Sequence, residues 1–79
     1  MSQRTTADET MPRPELAAYL GSLAEEFDHG REEIAVGVGN KTVSLNPPEE
    51  VDVSVEVVER SSVLRGQRET VDITLSWKP

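Results

Sequence analysis

The densest group of chemically capable side chains lies in the stretch EEFDHGREE, residues 25–33. It sets the single histidine, His29, beside Asp28 and among Glu25, Glu26, Glu32 and Glu33. Histidine suits proton transfer near neutral pH, and clustered carboxylates can hold a hard divalent cation. The spacing matches neither a calcium loop nor a zinc motif. The group therefore reads as a solvated helix end, with His29 near the negative pole of the helix dipole. Ser61 and Ser62 have no second histidine and no Gly-x-Ser-x-Gly setting, whereas a nucleophilic serine needs a base and an orienting group. Gly37-Val38-Gly39-Asn40 opens a hairpin rather than a helix, so its glycines are turn chemistry and not a dinucleotide fingerprint. These readings predict no catalytic residues, no cofactor and no metal.

Three of the six arginines, Arg60, Arg65 and Arg68, fall within ERSSVLRGQR, residues 59–68. Such a loop is a candidate contact for phosphate and could serve a nucleic-acid-associated accessory protein. The net charge of -7 argues against that use. So does the lack of exposed aromatic residues to stack on bases. The simpler expectation is a soluble loop whose arginines pair with nearby acids such as Glu59 and Glu69.

The chain has 79 residues, enough for one domain at most, and fifteen acidic residues face eight basic ones. A domain of this size buries only about 60% of the surface its unfolded chain exposes, so its stability margin is small. Cysteine is absent, which excludes disulfides and thiolate metal sites. No run approaches the ~18 apolar residues of a membrane span. The opening MSQRTTADET has no apolar core like that of a secretory signal. A cytoplasmic protein without a membrane partner is expected. Lys41 and Lys78 are the only lysines. Acid-rich, lysine-poor composition reads as adaptation to concentrated salt. The Debye length shrinks from about 10 Å at 0.1 M to about 3 Å at 1 M, so a dense acidic surface repels itself far less in brine.

The elements that position these residues follow from hydrophobic period. Residues 1–9 are polar and form either a flexible arm or an edge strand; residues 10–79 are expected to form a single domain. In RPELAAYLGSLAEEFD, residues 13–28, Leu16, Leu20, Leu23 and Phe27 mark one helical stripe. Pro12 and Pro14 suit the helix start, and Gly30 supplies a stop. The period then changes to two. Ile34, Val36 and Val38 lead through a turn at Gly39-Asn40 into Val43 and Leu45. Asn46-Pro47-Pro48-Glu49-Glu50 makes a second turn before Val51, Val53, Val55 and Val57. Residues 59–68 break the alternation and read as a longer loop. A last strand covers 70–77, with Val57 opposite Val71, Val55 opposite Ile73, Val53 opposite Leu75 and Val51 opposite Trp77. The expected fold is α+β: one helix on the aliphatic face of a four-stranded antiparallel meander, with room for a short N-terminal edge strand.

Trp77, the only tryptophan, closes the alternation Val71, Ile73, Leu75. In a row with Ile34, Leu45 and Val51 its indole would cap one end of the core and pin the last strand, a structural anchor rather than a ligand platform.

The helix RPELAAYLGSLAEEFDHG, the segment VSLNPPEEVDVSVEV and the closing VDITLSW together resemble the amphi-Trp domain family, over residues 12–77. That family is common in halophilic archaea. The resemblance implies the fold and the saline habitat, and it brings no established activity. Pro12 stands where a serine-like cap is expected. Residues 2–6 are polar where family members often carry an apolar strand.

Function follows from width. Four strands at about 4.8 Å spacing span roughly 15–20 Å, and one helix is about 10 Å across. Valine rows left uncovered mark an interface. A non-catalytic interaction or assembly module is the expectation, a homodimer through the uncovered sheet face its simplest form. An unidentified protein partner is a variant.

Overall fold

A computed structural model describes residues 2–29 and 32–79. Helix α1 covers Arg13–Asp28, the expected span. Its first backbone bond runs from the Leu16 N–H to the Pro12 carbonyl at 3.0 Å. Pro12 itself is extended and no side chain caps the helix, so the favourable charge at this end is Glu15 in the first turn. At the other end the His29 N–H donates to the Glu25 carbonyl at 3.1 Å. Gly30, the expected stop, lies outside the described residues.

Strands β1, Ile34–Val38, and β2, Lys41–Leu45, form an antiparallel hairpin. The expected register holds: Ile34 opposes Leu45, Val36 opposes Val43, and Val38 opposes Lys41. Gly39 sits at φ 63 and no described non-glycine residue has positive φ. A left-handed first turn residue followed by an ordinary second one is the II′ pattern, whose twist matches that of paired strands. A Cβ on Gly39 would lie 3.1 Å from the Ala7 Cβ, so the N-terminal segment passes against this turn. Residues 2–12 nevertheless contain no strand. The edge strand that had been allowed for does not form, because this polar segment has no alternating apolar face to bury.

The helix α1 packs on β1. Ile34, 1% exposed, is the fully buried hydrophobic residue there, and Leu23, Phe27, Val36, Val38 and Val43 are half-buried. These elements belong to one compact unit, and Pro48–Lys78 make a second.

The second unit is a long hairpin of β3, Asp52–Ser62, and β4, Gly66–Ser76. Val53 opposes Leu75, Val55 opposes Ile73 and Val57 opposes Val71, as the alternation predicts. The ladder runs further than expected, through Glu59 opposite Glu69 and Arg60 opposite Arg68 to Ser62 opposite Gly66. Most of the expected 59–68 loop is therefore strand, and the turn is only residues 63–65. Apolar alternation ends at Val57, but backbone pairing needs no apolar side chains. Gly66 at φ 78 provides the left-handed residue that closes a three-residue turn.

The fold is α+β with antiparallel strands, as expected, but the four strands form two two-stranded sheets, β1-β2 and β3-β4. The single meander is corrected. Residues 46–51 carry no strand, and Pro47 and Pro48 have no N–H to donate to a ladder. Matching apolar faces made a β2-β3 register conceivable without supplying its bonds.

Candidate functional site

In strands of period two, successive side chains alternate faces. One face of the β3-β4 hairpin carries Val53, Val55, Val57, Val71, Ile73 and Leu75, in three cross-strand rows. All six are exposed, between 37% and 64%. The opposite face carries Asp52, Ser54, Glu56, Val58 and Arg60 on β3, facing Ser76, Thr74, Asp72, Thr70 and Arg68 on β4. The hairpin is thus amphipathic, with its aliphatic side open.

Toward the turn the chemistry changes. Arg60 and Arg68 are direct cross-strand partners on the polar face, where Cβ atoms stand about 4.5–5.5 Å apart. Arg65 lies in the turn, and its N–H donates to the Ser62 Oγ at 3.3 Å. A shallow recess is lined by Arg60, Ser62, Arg65, Gln67 and Arg68. The structure therefore brings the three arginines singled out in the sequence to one end of the hairpin. The expected neutralising partners are not on that face. Glu59 and Glu69 oppose each other one residue away, on the other side of the ladder, although they line a common recess with Arg60 and Arg68 at its edge. Like charges placed directly opposite destabilise a sheet pair modestly. The nearest same-face neighbours of the arginine pair are Val58, Thr70, Ser62 and Gly66, none acidic.

Trp77 is half-buried and lies just past the end of β4. The ladder closes at Asp52 opposite Ser76, so the expected Val51–Trp77 pair is not part of it. A row linking Trp77 to Ile34 and Leu45 requires one continuous sheet, and the strands make two.

The cluster around His29 does not converge. Among the described residues no group of three or more histidine or carboxylate side chains is arranged to hold a metal ion. The Glu26 Oε1 instead accepts the Ala35 N–H at 2.8 Å, and the Tyr19 hydroxyl donates to the Gly37 carbonyl at 2.7 Å. Two of the three polar side chains that line the crevice between α1 and β1, Tyr19 and Glu26 but not Ser22, are thus engaged by backbone. Ser61 pairs with Gln67 in the ladder and Ser62 braces the turn.

Sequence reasoning passed over Tyr19 and the backbone-pairing role of Glu26, which it read only as part of the solvated helix end, and it passed over Val63 and Leu64. The first two fall seven residues apart, two helical turns, which places them on one face of α1. Val63 and Leu64 form an apolar pair inside an otherwise polar, arginine-bearing segment, a signal that was present but unused. Among the described residues no helix is long and apolar enough to cross a membrane.

No curated protein and no solved structure matches the sequence. The model of one family, the Amphi-Trp domain, matches residues 1–79, and the chain belongs to that family.

Proposed function

We propose that this Amphi-Trp domain protein is a non-catalytic, cytoplasmic assembly module that forms a homodimer through the aliphatic face of its β3-β4 hairpin. One observation carries the reading: six aliphatic side chains in three matched rows, all exposed. Their combined exposed area is on the order of 600 Å² per copy, at the upper end of what a typical monomer leaves open. It approaches the roughly 800 Å² per partner of a standard interface. A second copy carries the same face, so a two-fold axis matches apolar rows with apolar rows without any further requirement on the sequence. Two such faces packed about 10 Å apart make the dry layer of a sandwich. The acid-rich composition fits assembly in concentrated salt, where repulsion between two copies of net charge -7 is screened.

The test is solution mass by light scattering after size exclusion, in dilute buffer and in 2 M salt. The expected result is a dimer in high salt that Val55→Asp and Ile73→Asp convert to monomer while hairpin circular dichroism is retained. A wild-type monomer at all salt concentrations overturns the reading.

A further inference from the structure

The turn of the long hairpin has a composition unlike the rest of the chain. Residues 60–68 hold three arginines and no acid. The remaining residues hold five basic side chains against fifteen acidic ones, a net charge of -10. At the apex of this segment stand Val63 and Leu64, at 104% and 96% exposure. An aliphatic pair held out at a turn and bounded by Arg60, Arg65 and Arg68 combines two chemistries that one partner satisfies together. An anionic bilayer offers headgroup phosphates at its surface and acyl chains just beneath.

We propose that the β3-β4 turn is a peripheral membrane contact, which inserts Val63 and Leu64 between anionic phospholipid headgroups and lays Arg60, Arg65 and Arg68 on the phosphates. Two apolar side chains are too few to anchor a protein alone, and a basic ring is the second signal that reversible membrane binding requires. Arginine matches the role because its planar fork pairs with phosphate oxygens in a bidentate way. That no helix among the described residues is long and apolar enough to cross a membrane does not bear on such a surface contact.

Within the hairpin, the acids beyond Glu59 and Glu69 do not oppose this. Strands of eleven residues set the turn roughly 35 Å from the open end of its own hairpin. The acidic pair Glu56 and Asp72 lies four residues behind Arg60 and Arg68, about 13 Å along the strands. That exceeds the Debye length, about 8 Å at 0.15 M salt and about 3 Å at 1 M. Glu59 and Glu69, one residue behind Arg60 and Arg68, are the acids that do oppose it; three arginines against these two glutamates still leave residues 59–69 with a net charge of +1.

Nucleic acid is the competing polyanion. It makes use of the arginines but leaves Val63 and Leu64 without a role, and residues 60–68 contain no aromatic side chain to stack on a base.

The experiment uses the full chain and sedimentation with vesicles of phosphatidylcholine alone or mixed equally with phosphatidylglycerol, at 0.15 M salt. Binding is expected to the mixed vesicles and to be at least tenfold weaker on phosphatidylcholine. Each of Arg60→Gln, Arg65→Gln and Arg68→Gln should weaken it about fivefold, the effect of one charge near an anionic surface. The double variant Val63→Ser/Leu64→Ser should weaken it about tenfold or more, with an unchanged melting midpoint. Because the chain has no cysteine, Leu64→Cys carrying an environment-sensitive fluorophore reports insertion directly, as a blue shift on mixed vesicles only. Equal binding to both vesicles, or no binding to either, overturns the proposal. So does binding to mixed vesicles that the double serine variant leaves intact. Tight binding of a single-stranded oligonucleotide by that same variant, with no vesicle binding by the wild type, would assign the arginines to nucleic acid instead.

Discussion

The Tyr19 hydroxyl donates to the Gly37 carbonyl at 2.7 Å, across eighteen residues of sequence. Two turns further along α1, Glu26 accepts the Ala35 N–H at 2.8 Å. In the β1-β2 ladder, Ala35 and Gly37 alternate with Ile34, Val36 and Val38. In antiparallel pairs only every second residue directs its backbone groups at the partner strand. Tyr19 and Glu26 therefore satisfy groups on the outer edge of β1. An unprotected edge is a template for pairing with another chain, and the helix covers it with polar side chains as well as with its apolar stripe.

Removing the tyrosine hydroxyl should cost stability without altering the apolar contact of the ring. Tyr19→Phe is expected to lower the unfolding free energy by about 1 kcal/mol, the net value of one such bond. Urea denaturation followed by circular dichroism measures it. Glu26→Ala should cost a similar amount or somewhat more, since its acceptor is ionised. An unchanged midpoint in both variants would mean that water replaces these groups at no cost.

Trp77 is half-buried rather than enclosed. Trp77→Ala is accordingly expected to destabilise the chain by about 2 kcal/mol, below the roughly 3–5 kcal/mol typical of a fully buried aromatic residue. Thermal and chemical melts of wild type and variant give the difference. Its intrinsic fluorescence should peak between the buried and the solvated extremes and move to the red on unfolding. A loss near zero would remove the anchor role.

Fifteen acids against eight bases make folding sensitive to salt. The melting temperature should rise between dilute buffer and 2 M sodium chloride. Tetraalkylammonium chloride at equal ionic strength separates screening, which both salts supply, from site binding of small cations. A melt independent of both salts would count against adaptation to brine.

Much of the local structure was legible. The stripe from Leu16 to Phe27 set the limits of α1, and the switch to period two, with Gly39-Asn40, set the β1-β2 register. The pairing of Val57 with Val71 and its neighbours was equally plain. Around the candidate contact, the sequence showed three close arginines but assigned them to a loop, with Glu59 and Glu69 as partners. It could not show that a polar ladder continues past Val57. Side-chain hydropathy records which face is buried, and a hairpin arm with two wet faces leaves no such record.

What the sequence determined by itself was periodicity: which segments are helix or strand, and which residues share a face. Those properties depend on backbone geometry repeated every 3.6 or 2 residues. Only the tertiary structure decided that β2 and β3 form separate sheets, that α1 seals the β1 edge through Tyr19 and Glu26, and that Arg60 stands opposite Arg68 behind an exposed Val63-Leu64 turn. Each of these depends on which backbone groups find partners across a distance, and the order of residues along a chain does not encode that pairing locally.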